Sequence, residues 1–129
     1  MGTHAHEPPG VSIEPLGAYT LARVATDIDA HTHQDIDDAL TAALADTSTA
    51  LIIDLARVDD LNSQGLNTLA RLHNQATGRG ISIVLTGVHG NVTQGLTITR
   101  LDTYIPIRPD TETAQRWLDQ GTAAIPDRN

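Results

Sequence analysis

The chain has no cysteine, no phenylalanine and no lysine. Without cysteine there is no disulfide framework, no thiolate metal site and no cysteine nucleophile. Aromatic residues make up 2% of the chain, two Tyr and one Trp, so the core must be built from Leu, Ile, Val and Ala, and a base-stacking surface is disfavoured. Positive charge is scarce as well. Sixteen acidic residues face eight arginines, a formal charge of -8 with His neutral, which repels phosphate backbones and anionic headgroups and argues against a nucleic-acid partner. The opening MGTHAHEPPG lacks the basic patch and apolar stretch of a secretion signal, and no segment approaches the roughly 20 apolar residues of a spanning helix. The expectation is a cytoplasmic protein with no membrane insertion.

What is present, 129 residues with 40% hydrophobic, suits one domain with one core. Residues 1–10 and 121–129 are polar and proline-bearing and read as flexible tails around a domain over 11–120. Val11 to Glu14 and Tyr19 to Ala25 are β-prone runs separated by Pro15 and Gly17, which predicts neighbouring strands. From Thr32 the period is helical. Ile36, Ala39, Leu40, Ala43 and Leu44 share one face, and Thr32 with Asp35 resembles a capping pair. Ala50 to Leu55 and Ile81 to Thr86 are apolar runs without alternation, as expected of strands covered on both faces. Between them a helix is expected from Ser63 to Gly78, with Gly78 as its left-handed terminus, and the strand–helix–strand order implies a parallel crossover. Asn91 to Leu101 is a weaker helix, Tyr104 to Ile107 a short edge strand around Pro106, and Asp110 caps a last helix through about Gln120, with Ala114, Trp117 and Leu118 on one side. The fold class that results is α/β, a small mixed, mostly parallel sheet with helices packed on it.

The stretch with chemistry is Asp54 to Leu66, DLARVDDLNSQGL, which leaves a buried strand at its carboxyl end, where parallel sheets place their sites, and opens a helix. Ser63 stands at or next to the N-cap, so two readings are open: an ordinary cap, worth about 1 kcal/mol, or an exposed hydroxyl that accepts a phosphoryl group of about -1.5 to -2 charges at the positive end of the helix. Gly65 can allow another backbone to approach or simply relax the turn. Asp59 and Asp60 can meet basic groups of a partner or only be solvated.

This segment resembles the STAS family, named for sulfate transporters and anti-sigma factor antagonists, over about residues 11 to 120. The family pattern is a strand ending in Asp-Leu, a short loop, then Asp-Ser-Ser/Thr-Gly-Leu opening a helix; Asp54-Leu55 and Asn62-Ser63-Gln64-Gly65-Leu66 stand at the matching separation. Arg79-Gly80 before ISIVLT, and Leu101-Asp102 followed by Ile105-Pro106-Ile107, add to it. The resemblance implies a free-standing bacterial anti-sigma factor antagonist. Such a protein is not an enzyme and has no cofactor. It binds an anti-sigma factor with serine kinase activity, is phosphorylated on the serine matching Ser63 and released, and is restored by a PPM-type phosphatase. The partner-binding residues implied are Asp59, Asp60, Asn62, Ser63, Gln64 and Gly65. Asn62 departs from the family's aspartate and removes a charge beside the acceptor, and Gln64 replaces its second hydroxyl residue, leaving Ser63 the sole hydroxyl of the loop. The alternative is a constitutive adaptor in a transporter-associated or stress-signalling complex, with Ser63 only a cap.

Other constellations carry less. His4 with His6 and His31 with His33 are HxH pairs without a third convergent ligand, so no metal site is expected. His73 lies ten residues beyond Ser63, about 15 Å along a helix, too far for a nucleophile pair. GxxxxGK[ST] and GxGxxG are both missing, which leaves a small hydrolase or nucleotide-using enzyme without a declared site.

Overall fold

The computed structural model describes residues 10–124 of the chain. The polar stretch 1–9, with His4 and His6, and the end beyond Ala124 lie outside the described residues.

Strands β1 (Val11–Leu16) and β2 (Tyr19–Val24) pair antiparallel with Leu16 opposite Tyr19. The two-residue turn works because Gly17, at φ +62, takes the positive angle that a twisted hairpin requires at its first turn position. Pro15 lies inside β1 rather than ending it, tolerated because β1 is an edge strand. Strands β3 (Ala50–Asp54), β4 (Ser82–Thr86) and β5 (Ile107–Arg108) then add in parallel, giving one sheet in the order β1-β2-β3-β4-β5. The mixed, mostly parallel sheet is the architecture expected. Of the expected 104–107 strand only Ile107 falls in β5, which is completed by Arg108; Tyr104 is exposed, and Pro106 precedes the strand, its carbonyl accepting from Leu85 N.

The uninterrupted apolar runs have a direct cause. Leu51 and Ile53 enter the larger core, shared with helices α1 (His33–Ala45), α2 (Ser63–Gly78) and α3 (Gly90–Ile98), while Ala50 and Ile52 enter a smaller one against Ala114 and Leu118 of α4 (Thr111–Ala124). Each strand is therefore apolar on both sides. Asp110 caps α4 as expected, accepting from Thr113 N at 2.7 Å, and that bond holds its carboxyl below the ordinary value. The helix runs on to Ala124, past the expected Gln120. Trp117 is half-buried against the smaller core, with the Arg108 guanidinium 4.2 Å above its ring.

Two expected helix ends are corrected. Thr32 does not cap α1 with its side chain: its backbone is already helical, and its hydroxyl is engaged backwards, donating to Asp27 O and accepting from Asp29 N. At the end of α2 it is Gly80, φ +74, and not Gly78, that turns left-handed; Gly80 N bonds Thr77 O and Ile81 N bonds Ala76 O, the paired 5→2 and 6→1 bonds of a Schellman ending. Arg79, between them, donates to Leu44 O and Thr47 O and so satisfies carbonyls at the end of α1. The Arg79-Gly80 pair thus finishes two helices at once.

Candidate functional site

The site lies at the carboxyl end of β3. Asp54 accepts from Ala56 N at 3.0 Å, and Leu55 and Val58 turn back into the core, leaving Ala56, Arg57, Asp59 and Asp60 exposed. This loop is tied down by its backbone. Asp27 Oδ1 accepts from Asp59 N at 2.7 Å and from Asp60 N at 3.2 Å, Asp60 O accepts from Ile28 N, and Ile28 O accepts from Asn62 N, forming a parallel bridge between Ile28 and Leu61. From the other side Asn91 Nδ2 donates to Asp60 Oδ1 at 2.8 Å, and the His89 ring sits 3.1 Å from Ala56 O. Asp27, His89 and Asn91 were not anticipated. The signal that could have found them is positional, since they follow β2 and β4, the strands on either side of β3.

The first turn of α2 separates two duties that the sequence left with one residue. The N-cap is Asn62: its backbone is extended and its Oδ1 accepts from Gly65 N at 2.9 Å. Ser63 is the first helical residue. Its side chain is exposed, and its hydroxyl makes no hydrogen bond to another described residue. The Ser63 and Gln64 amides are also without acceptors among the described residues, as the first amides of a helix are when only the third is capped. The two departures from the family pattern meet each other here, Asn62 Nδ2 donating to Gln64 Oε1 at 3.3 Å, a bond an aspartate could not donate. Gln64 is exposed beside Ser63.

Gly65 is buried, unlike the other residues expected to meet a partner. A Cβ there would lie 2.4 Å from Leu61 Cδ1 and 2.9 Å from Ile28 Cγ2, so its lack of a side chain admits this protein's own loop against the helix. No acidic residue stands in the first turn of α2, so its positive end is uncompensated within the helix. Farther along, Arg71 and Thr68 reach Asp37 of α1, with Thr68 Oγ1 to Asp37 Oδ2 at 2.6 Å and Thr41 bonding the other carboxylate oxygen. Burial opposes ionisation of Asp37, but these hydrogen bonds and the Arg71 charge outweigh it and hold the carboxyl below its ordinary value.

The remaining candidates do not join this group. His31 and His33 flank the start of α1, His73 lies on α2 against Leu101 and Tyr104, and no cluster of three or more His, Asp or Glu suited to a metal occurs among the described residues. Tyr19, pushed up to about 12 by its hydrogen bond to Asp119, begins β2 and so lies at the opposite end of the parallel strands. No helix among the described residues is long and apolar enough to cross a membrane.

Comparison with known proteins places the chain. The model of the STAS domain family matches residues 10–114. An anti-sigma factor antagonist from Mycobacterium paratuberculosis is 27% identical and superposes with a TM-score of 0.73, covering 84% of this chain and 92% of that one. A putative anti-sigma factor antagonist from Thermotoga maritima shares the fold at 14% identity, with a TM-score of 0.80 over 90% of this chain and 97% of its own. The same fold is found within the murine Solute Carrier 26 family member A9 anion transporter, at 14% identity and a TM-score of 0.72, covering 83% of this chain and 18% of the transporter.

Proposed function

Since the chain belongs to the STAS domain family, we propose that it is a cytoplasmic anti-sigma factor antagonist, a binding module that engages an anti-sigma factor with serine kinase activity and is released when Ser63 is phosphorylated. One observation carries the reading: Asn62 caps α2, and Ser63 is exposed with a hydroxyl that bonds to no other described residue. The kinase brings ATP and magnesium. The Ser63 oxygen forms a bond to the γ-phosphorus, the bridging bond to the β-phosphate breaks, ADP leaves, and the hydroxyl proton passes to a base of the kinase. A PPM-type phosphatase returns the serine by hydrolysing the ester.

The modified chain stays folded, because the new charge of about -1.5 to -2 sits at the positive end of a helix with free amides. Its cost falls on the complex. A dianion joins exposed Asp59 and Asp60 in the same docking surface, where a neutral hydroxyl stood, and an unpaired charge in an interface weakens it by several kcal/mol, on the order of a thousandfold in affinity. Asp59, Asp60, Asn62 and Gln64 form the contact with Ser63 at its centre, and Gly65 acts from beneath by letting the loop close on the helix.

The test is to incubate the chain with the kinase-type anti-sigma factor and Mg-ATP and map phosphate by mass spectrometry, with Ser63→Ala as control. Modification at Ser63 and loss of binding in Ser63→Asp are expected. No modification, together with undiminished binding of Ser63→Asp, overturns the switch and favours the second reading, a constitutive adaptor. Two facts support that second reading: the same domain is built into an anion transporter, and Asn62 replaces the family's aspartate.

A further inference from the structure

Helix α2 turns an outer face to water that is polar yet nearly uncharged. With His neutral, Arg71 is the only charged residue of its 16, and Asp37 of α1 meets that charge. The rest of the face is made of amides. Gln64, Asn67, Asn74 and Gln75 are all exposed, and with Thr68 and Arg71 they recur at the three- and four-residue steps of one helix side. His33, Gln34 and Asp37 of α1 form the facing wall of a groove of about 610 Å³, which runs on past Asn74 and Gln75 to Gly78.

The helix itself does not explain these amides. Asparagine is among the poorer helix formers, because its side chain competes for the backbone, yet Asn67 and Asn74 stand at exposed positions in the interior of α2. Internal bonding does not explain them either: the side-chain amides of Asn67, Asn74 and Gln75 bond to no other described residue. At the head of the groove His33 Nδ1 is buried and likewise unpartnered among the described residues. Asp37, by contrast, is saturated, with Thr41 and Arg71 on one carboxylate oxygen and Thr68 on the other.

A side-chain amide presents an N–H donor and a carbonyl acceptor, the same pair of groups as a main-chain peptide unit. Asn67 and Asn74 are seven residues apart, about 10.5 Å along the helix, and three residues of extended chain span about 10 Å. From Gln64 to Gln75 the row covers about 16 Å, the length of about five extended residues. The Asp and Arg of the walls are paired with each other, and no Phe, Tyr or Trp lines the groove for a flat ring to stack on. Such walls match a neutral, elongated ligand with regularly repeated amide groups, which is a polypeptide segment read through its main chain.

We propose that the α1–α2 groove holds an extended segment of the anti-sigma factor by its main chain, with Asn67 and Asn74 as the two clamps. The identity of the partner rests on the reading above: Gln64 lines the groove and adjoins Ser63, so one protein covers both. Docking then has two parts of different sensitivity. The loop responds to charge at Ser63, whereas the groove binds neutral groups and does not.

Affinity for the anti-sigma factor is measured by calorimetry for the parent, for Asn67→Ala and Asn74→Ala combined, and for Gln120→Ala, an exposed amide of α4 on the other side of the sheet; circular dichroism confirms the fold of each. The double variant is expected to bind about tenfold more weakly, by the same factor at low and high salt, and Gln120→Ala to bind as the parent does. In a second arm the isotope-labelled full chain is titrated with the anti-sigma factor while its side-chain NH2 resonances are followed by NMR. Those of Asn67 and Asn74 are expected to shift and that of Gln120 to stay. If Ser63 is phosphorylated and release follows, yet the double variant binds as the parent does or the Asn67 and Asn74 resonances do not move, the groove is wrongly assigned and the switch stands. If Ser63 is never modified while the double variant is weakened and both resonances move, the switch is wrong and the groove stands. Weakening that disappears at high salt overturns main-chain recognition, and failure of the anti-sigma factor to bind the chain at all overturns both.

Discussion

Replacing Asn62 and Ser63 one at a time by alanine separates a capping residue from a free one. Asn62→Ala removes the acceptor for Gly65 N at 2.9 Å and the donor to Gln64. Loss of an Asn cap costs about 1 kcal/mol, within a range of roughly 0.5–2, and the exposed bond to Gln64 adds at most a few tenths. Ser63→Ala removes a hydroxyl that holds nothing and substitutes a slightly better helix former, so its effect should lie within about ±0.5 kcal/mol. The assay is urea unfolding followed by circular dichroism. With a slope of about 2 kcal/mol/M for a small domain, Asn62→Ala lowers the midpoint by about 0.5 M while Ser63→Ala leaves it in place. Asn62→Asp retains the cap and places a charge at the positive helix end, so it should recover the lost stability. A midpoint for Ser63→Ala as low as that for Asn62→Ala would mean that Ser63 carries structure, and the argument that its hydroxyl is available for chemistry would fail.

At the other end of α2 a second pair of variants should move in opposite directions. Gly78→Ala, at a helical φ with nothing within 4 Å of the new Cβ, should gain about 0.5–1 kcal/mol, whereas Gly80→Ala, equally unobstructed but at φ +74, should lose about 1 kcal/mol, both read by thermal melting. Because the Asp37 carboxyl is held below its ordinary value of 3.8 in the folded chain, its contribution is complete well above that pH and disappears as the pH falls through the lowered folded value. Asp37→Asn should therefore be less stable than the parent by roughly 1–2 kcal/mol at pH 7, and the gap should close towards pH 2; a gap independent of pH would refute the ion-pair account.

The architecture was legible because its signals are local. The apolar runs at 50–55 and 81–86 lack alternation because both faces of their strands are covered, and the helical periods at 36–44 and 66–76 match the residues that enter the core. What escaped was decided between neighbours in space. Thr32 precedes a helix as a cap should, yet Asp27 and Asp29 take its hydroxyl, and no spacing rule reports a competitor five residues back. Gly78 and Gly80 are both able to turn left-handed; which one does so depends on where Ile81 must enter the core. The start of α2 was read half correctly for the same reason. The spacing located the loop and its helix, but Asn62 and Ser63 are both capping residue types in adjacent positions, and the register that makes one the cap is set by the Ile28–Leu61 bridge, formed with a residue more than thirty positions away.

That bridge also bears on how a surface hydroxyl could work as a switch. A loop that is free to move can absorb a new charge by rearranging, and the partner then notices little. Here Asp27 holds the Asp59 and Asp60 amides, Asn91 holds the Asp60 carboxylate, and Gly65 lets Leu61 and Ile28 close against the helix, so the backbone before Ser63 has few ways to yield. A phosphoryl group added to so constrained a position stays where it was placed, and any surface that fits the unmodified loop must meet it. The rigidity belongs to the loop and the capping to Asn62, and the proposed acceptor is Ser63, so loosening the first should blunt the proposed switch without touching that acceptor. Asp27→Ala, which frees the Asp59 and Asp60 amides, is expected to leave Ser63 open to phosphorylation while shrinking the difference in affinity between the modified and unmodified chain. An unchanged ratio of the two affinities, measured by calorimetry, would show that the loop's ties serve folding alone.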